Sequence, residues 1–221
     1  MKVLALDVST KTGWAVFEPP VGTAEWVGKG VKIETSASGW GLKKYGLIKN
    51  PKKVQEYGVY PWSYLNACSA MAQQLLKLAN EEKPDAIVIE ETNGSKARYT
   101  QKVLEMLHCC LLDRLAVYMT GTPVYYVNSS EWRKTLGLVL SKEDKKANKK
   151  LKVAKKLSAA TGKKLNRTEL GIRGIVNKKH IAIRYVNDTY CKNFLVKDND
   201  ICDAICLGTA YLKGCSICDG K

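Results

Sequence analysis

The run Asp85–Glu90 (DAIVIE) constrains this chain more than any other segment. It is apolar at almost every position until it ends on a carboxylate. A strand with this pattern is buried on both faces, so its sheet must carry helices on its faces. Lys2–Asp7 reads as a strand of the same kind, again closed by an acid (LALD). Ser9–Gly13 is a turn, and Trp14–Glu18 is the returning strand of a hairpin. Ala24–Glu34 reads as a third strand, with Val27, Val31 and Ile33 among its apolar positions. In Pro61–Glu82, Leu65, Cys68, Met71, Ala72, Leu75 and Leu78 fall near helical spacing, and Lys83-Pro84 stops the helix. Lys96–Thr120 predicts a long helix and Pro123–Val127 a fifth strand. Ser129 or Ser130 caps a short helix carrying Glu131, Trp132 and Arg133. His180–Tyr190 and Asn199–Lys213 predict further helices.

The expected class is therefore α/β: a five-stranded mixed sheet flanked by helices, with a basic insertion before the C-terminal helix. At 221 residues the chain suits one domain over 1–221, with the Lys-rich insertion at about 141–180.

Charge narrows the function. The net charge is +15, and Lys142–Arg184 carries fifteen Lys or Arg against three acids. That segment alone holds +12. Leu151, Ala154 and Leu157 give it the spacing of an amphipathic helix, with a cationic other face that includes Lys149, Lys150, Lys155 and Lys156. A second basic stretch, with Lys43, Lys44, Lys52 and Lys53, is Gly-rich and poorly periodic, and reads as a loop or ribbon. Trp40, Tyr45 and Tyr57 lie near it. Arg133 and Lys134 follow the fifth strand and are placed to touch phosphate. Clustered cations with aromatics suit a nucleic-acid backbone and its bases. No apolar run is long enough to span a membrane, and Asp7 interrupts any signal-peptide core. A cytoplasmic protein with reduced thiols is expected, its eight cysteines sitting largely in apolar helical runs. Cys202, Cys206, Cys215 and Cys218 could complete a zinc site, but no second knuckle pairs with them.

Four acids stand out by position. Asp7 and Glu90 end apolar strands, at the sheet edge where ligands of such folds sit. Asp200 and Asp203 lie three apart in DNDICDAICLG and share one face of the last helix. Carboxylates converging at a packed edge repel one another unless a cation sits among them. Mg²⁺, a hard ion with oxygen ligands, fits that need, and a pair of ions suits phosphodiester hydrolysis.

LALDVSTKTGWAVF, IVIEE and DICDAICLG together resemble RuvC-type Holliday junction resolvases, which belong to the RNase H-like nucleases. The resemblance covers nearly the whole chain and points to the phage-encoded branch. It implies that Asp7, Glu90, Asp200 and Asp203 ligate two Mg²⁺ ions, with Mn²⁺ substituting. It implies branched DNA as the substrate, cut by paired symmetric nicks. It also implies a homodimer, whose contact would come from the Lys96–Thr120 helix through Leu104, Leu107, Leu111 and Leu115. For a phage protein the compartment would be the host cytoplasm. Some relatives carry an aromatic wedge three residues after the catalytic Glu. That position is Asn93 here, and Tyr99 is the candidate replacement.

Two other classes compete. A sugar-kinase or actin-like ATPase opens with a similar hairpin, but it needs a second Gly-rich phosphate loop, and none is visible. A non-catalytic nucleic-acid-binding protein on the same fold would be signalled by loss of an acid, yet all four are present.

Overall fold

The computed structural model of the chain describes residues 1–19, 40–49, 59, 61–92, 98–162 and 174–214. They fall into two compact units, Met1–Leu136 with Asp200–Lys221, and Gly137–Asn199. Among the described residues no helix is long and apolar enough to cross a membrane.

The first unit is built on a five-stranded sheet. Its strands are β1 (Val3–Asp7), β2 (Lys11–Glu18), β3 (Gly41–Lys49), β4 (Ala86–Glu90) and β5 (Val124–Val127), in the order β3-β2-β1-β4-β5. β1 pairs antiparallel with β2 and parallel with β4, while β4 pairs parallel with β5. The sheet is mixed, as expected. One strand differs from its expectation. The stretch from Lys43, expected as a loop or ribbon, begins inside the regular edge strand β3, which pairs with β2. Lysines and glycines hide this strand in the sequence. Its ladder is made by backbone, and Gly46 is required because a β-carbon there would stand 2.7 Å from the Trp14 ring. The strand expected at Ala24–Glu34 lies outside the described residues, as do Lys52, Lys53, Tyr57 and Asn93.

The two faces of the sheet have different partners, because successive residues of a strand alternate sides. Leu4, Leu6, Val16, Ile87 and Ile89 form one core with α1 (Trp62–Glu82) and α2 (Arg98–Tyr118). Leu107 and Leu111 are fully buried in that core and Leu115 is 3% exposed. These three leucines therefore serve the protein's own interior rather than a dimer contact, because the helix turns them onto the sheet. Leu104 is half-buried.

The opposite face is covered by α6 (Asn199–Leu212), which is buried from Cys202 to Ala210. Small residues let this helix come close. A β-carbon on Gly208 would stand 2.3 Å from the Phe17 ring and 3.0 Å from the Ala5 β-carbon. The short helix α3 (Ser129–Thr135) is capped by Asn128, not by Ser129 or Ser130, and Asn128 accepts from the Ser130 N–H at 2.9 Å. Its Trp132 is fully buried. An indole brings roughly 200 Å² of surface, worth on the order of 5 kcal/mol gross, so it anchors α3.

The second unit holds α4 (Lys142–Thr161), α5 (Lys178–Tyr190) and a 3₁₀ turn at Val196–Asp198. Ser141 caps α4, accepting from the Asp144 N–H at 3.0 Å. Arg184 pairs with Asp144 at 2.7 Å. The Asn148 side chain both donates to the Val176 carbonyl and accepts from its N–H. Of the expected stripe on α4 only Leu151 is fully interior, and Leu157 is 60% exposed. The Lys149, Lys150, Lys155 and Lys156 side chains are exposed along the same helix.

Candidate active site

The parallel register Leu6↔Ile89 sets Asp7 and Glu90 as neighbours at the carboxyl ends of adjacent strands. Both belong to the face covered by α6. Asp7 is opposite Gly13 on β2. A β-carbon on Gly13 would stand 1.9 Å from the Asp200 carbonyl oxygen, so the first turn of α6 lies directly on that position. Adjacent strands are ~4.8 Å apart, which brings Asp7, Glu90 and the Asp200 backbone to one edge. Asp203 follows one turn later and is 7% exposed.

The side chains of Glu90 and Asp203 meet around α3. The Trp132 indole N–H donates to Glu90 Oε2 at 3.0 Å. Arg133 Nη2 lies 3.1 Å from Asp203 Oδ1, and its guanidinium carbon lies 4.0 Å from the Trp132 ring centre. Burial, and then the negative charge of Asp203, push the Glu90 carboxyl up to about 7. The Trp132 N–H and the Arg133 guanidinium oppose that rise without cancelling it. The result is a pair of carboxylates, Asp203 buried and Glu90 half-buried, that share one positive charge.

Among the described residues, no three Asp, Glu, His or Cys side chains gather closely enough to hold a metal ion. The donor set still has the right chemistry for one. It consists of hard oxygen ligands at one sheet edge, and the Glu90 carboxyl, raised first by burial and then by the charge of Asp203, stands beside a second carboxylate whose repulsion a divalent cation would relieve. Cys202 and Cys206 are buried free thiols in α6, and burial pushes the Cys206 thiol well up. Cys215 and Cys218 lie outside the described residues.

The predicted basic contacts divide. Lys43 is exposed on β3 and Lys134 on α3. Lys44 is bound 2.8 Å from the buried Glu82, whose other cation is Lys2 at 3.9 Å. This network ties β3 to the C-terminal end of α1. Tyr99 is 49% exposed and meets the Tyr64 ring edge-on, with centroids 5.1 Å apart. Both tyrosines stand near the N-terminal ends of their helices. α1 leads into β4 and α2 leaves it, so those ends lie at the carboxylate edge.

Besides the Arg133–Asp203 pair, two contacts at this edge are not legible in the sequence. One is the Trp132 bond to Glu90, for which the only signal was the adjacency of Trp132 and Arg133. The other is the Asn128 side-chain N–H that donates to Glu91 Oε2 at 2.7 Å. Asn128 thus links the strand end beyond Glu90 to the cap of α3, and nothing local in the sequence announces it.

Among solved structures, the chain is similar to Thermus thermophilus RuvC in complex with Holliday junction substrate, with TM-score 0.53 and 12% identity over 98% of this chain and 99% of that one. The chain has the RuvC fold. A second Thermus thermophilus RuvC structure is similar at TM-score 0.51 and 13% identity, covering 98% and 99%. The yeast mitochondrial Holliday junction resolvase is similar at TM-score 0.51 and 11% identity, over 96% of this chain and 77% of that one. No family model matches the sequence, and no curated protein matches it. The RuvC fold accounts for the five-stranded mixed sheet with its flanking helices.

Proposed function

We propose that the chain is a metal-dependent, structure-selective DNA endonuclease that resolves four-way junctions by paired symmetric nicks. The observation that carries this reading is the juxtaposition of two carboxylates, the buried Asp203 and the half-buried Glu90, on the sheet edge that also carries Asp7. Maintaining such a pair is costly for a protein that uses it only for structure.

In this reading Asp7, Glu90, Asp203 and, more peripherally, Asp200 hold two Mg²⁺ ions, and Mn²⁺ substitutes. When bound, the ions would activate the attacking water and stabilise the leaving oxygen of the phosphodiester. Trp132 keeps Glu90 oriented by its N–H, and the seating of α6 on the sheet keeps Asp203 buried. The cationic face of α4 and the exposed Lys43 and Lys134 draw in the phosphate backbone, while Tyr99 offers a ring to an unstacked base. Two symmetric nicks require two sites, so the proposed assembly is a homodimer. On α2 the large apolar side chains open to a partner include Leu112, Val117 and Tyr118.

The test is incubation with labelled four-way junction, linear duplex and RNA–DNA hybrid, in Mg²⁺ or in EDTA, beside the Asp7→Asn variant. Symmetric nicking of the junction by the unmodified chain in Mg²⁺ alone is expected. Preferred cutting of the hybrid would move the assignment to a ribonuclease, and junction binding without cutting would make the chain a binding protein.

A further inference from the structure

Two consecutive residues of the short helix α3 each take one carboxylate of this edge. Trp132 donates to Glu90 at 3.0 Å, and Arg133 pairs with Asp203 at 3.1 Å. The second pair is sheltered, with the Arg133 side chain 13% and the Asp203 side chain 10% exposed. The guanidinium also lies over the Trp132 ring, 4.0 Å from its centre. A surface ion pair contributes little, but a sheltered carboxylate that loses its partner is left as an uncompensated buried charge. Asp203 therefore needs a cation at all times, and Arg133 supplies it.

We propose that Arg133 is a resident counter-ion that competes with divalent cations for Asp203. It is a positioning residue, holding the carboxylate in place until a metal ion takes over. The inference rests on the metal-binding reading of this site and adds the group that sets its affinity. The competition follows from charge. A guanidinium and a divalent cation on one carboxylate repel each other strongly where water is scarce, so binding the second must loosen the first. Stacking on Trp132 gives the displaced guanidinium somewhere to stay. It remains beside the site with its charge unspent.

The competition is measurable without DNA. Mn²⁺ binding to the full chain is titrated calorimetrically, and melting temperature is read with and without Mn²⁺, for the unmodified protein, Arg133→Gln and Arg133→Lys. Arg133→Gln is expected to melt lower than the unmodified chain in EDTA. It should also bind Mn²⁺ roughly five- to a hundredfold more tightly, the usual range for coupling between two ligands. Arg133→Lys keeps a charge without the planar fork or the stack, so its affinity should fall between the two. If the unmodified chain binds Mn²⁺ and Arg133→Gln binds it equally or less well, the counter-ion role is wrong while the metal site stands. If the unmodified chain binds no Mn²⁺, the metal-binding reading fails and the competition with it. Arg133→Lys guards against a Gln variant that does not fold. It too must bind more tightly than the unmodified chain, or the proposal is overturned.

Discussion

The carbonyl oxygen of Asp200 stands 1.9 Å from where Gly13 would carry a β-carbon. Gly13 is itself the partner of Asp7 across the β1–β2 ladder. The bare backbone of β2 thus decides how close the first turn of α6 comes to the strand ends. Gly13→Ala should push that turn outward and carry Asp200 and Asp203 with it. Because the obstacle is backbone, the cost should reach or exceed the upper end of the ~1–3 kcal/mol typical of overpacking. Urea unfolding would give the loss of stability, and junction nicking should fall further than stability alone explains.

The carboxylates should separate cutting from binding. Asp7→Asn, Glu90→Gln and Asp203→Asn are each expected to abolish junction cleavage and leave junction binding intact or tighter. Asp200→Asn should be milder. Glu91→Gln should also be mild, since an amide oxygen can still accept from Asn128. Ca²⁺ should support binding with little cleavage, its looser coordination suiting in-line attack poorly. Nicking assays run beside gel shifts read both quantities, and near-normal cutting by Asp7→Asn would sink the two-metal account.

Binding should weaken steeply with salt. Each phosphate engaged contributes ~0.9 to the slope of log affinity against log salt on duplex DNA. Replacing Lys149, Lys150, Lys155 and Lys156 together with Ala should flatten that slope by ~1.8 if about half of them meet phosphate. An unchanged slope would mean that α4 presents only a solvated surface.

Acid stability should depend on His108. This ring is 6% exposed, with Nδ1 2.9 Å from the Tyr126 hydroxyl and no hydrogen-bond partner for Nε2. Burial lowers its pKa below the ordinary 6.5, although the Val8 backbone still favours the charged form. Below pH 6.5 the unfolded chain takes up a proton that the folded chain resists. The ring therefore costs nothing above that pH, and stability is lost progressively as pH falls through 6.5 toward the lowered folded value. His108→Gln should narrow the difference in melting temperature between pH 7.5 and pH 5.5. An equal difference in both proteins would rule this out.

Most of the architecture is legible in short segments. Apolar runs such as IVIE and LALD read as interior strands, and the spacing from Cys68 to Leu78 lays one helix face on them, while Leu65 at the start of α1 is 36% exposed. These patterns are local, because they express which residues avoid water at the period of one element. The acids at strand ends are legible for the same reason. A carboxylate that closes an apolar run has to emerge at a sheet edge.

What pairs with what across the fold is decided elsewhere. β3 holds its place by backbone bonds that lysines and glycines do not advertise. Leu107, Leu111 and Leu115 look equally suited to a partner or to the core, and only the seating of α2 on the sheet turned them inward. The same is true of the charges. Arg133 and Asp203 stand 70 residues apart, and Trp132 and Glu90 stand 42 apart. Their energies depend on distance and on the exclusion of water, which exist only once α3 and α6 have closed on the strand ends.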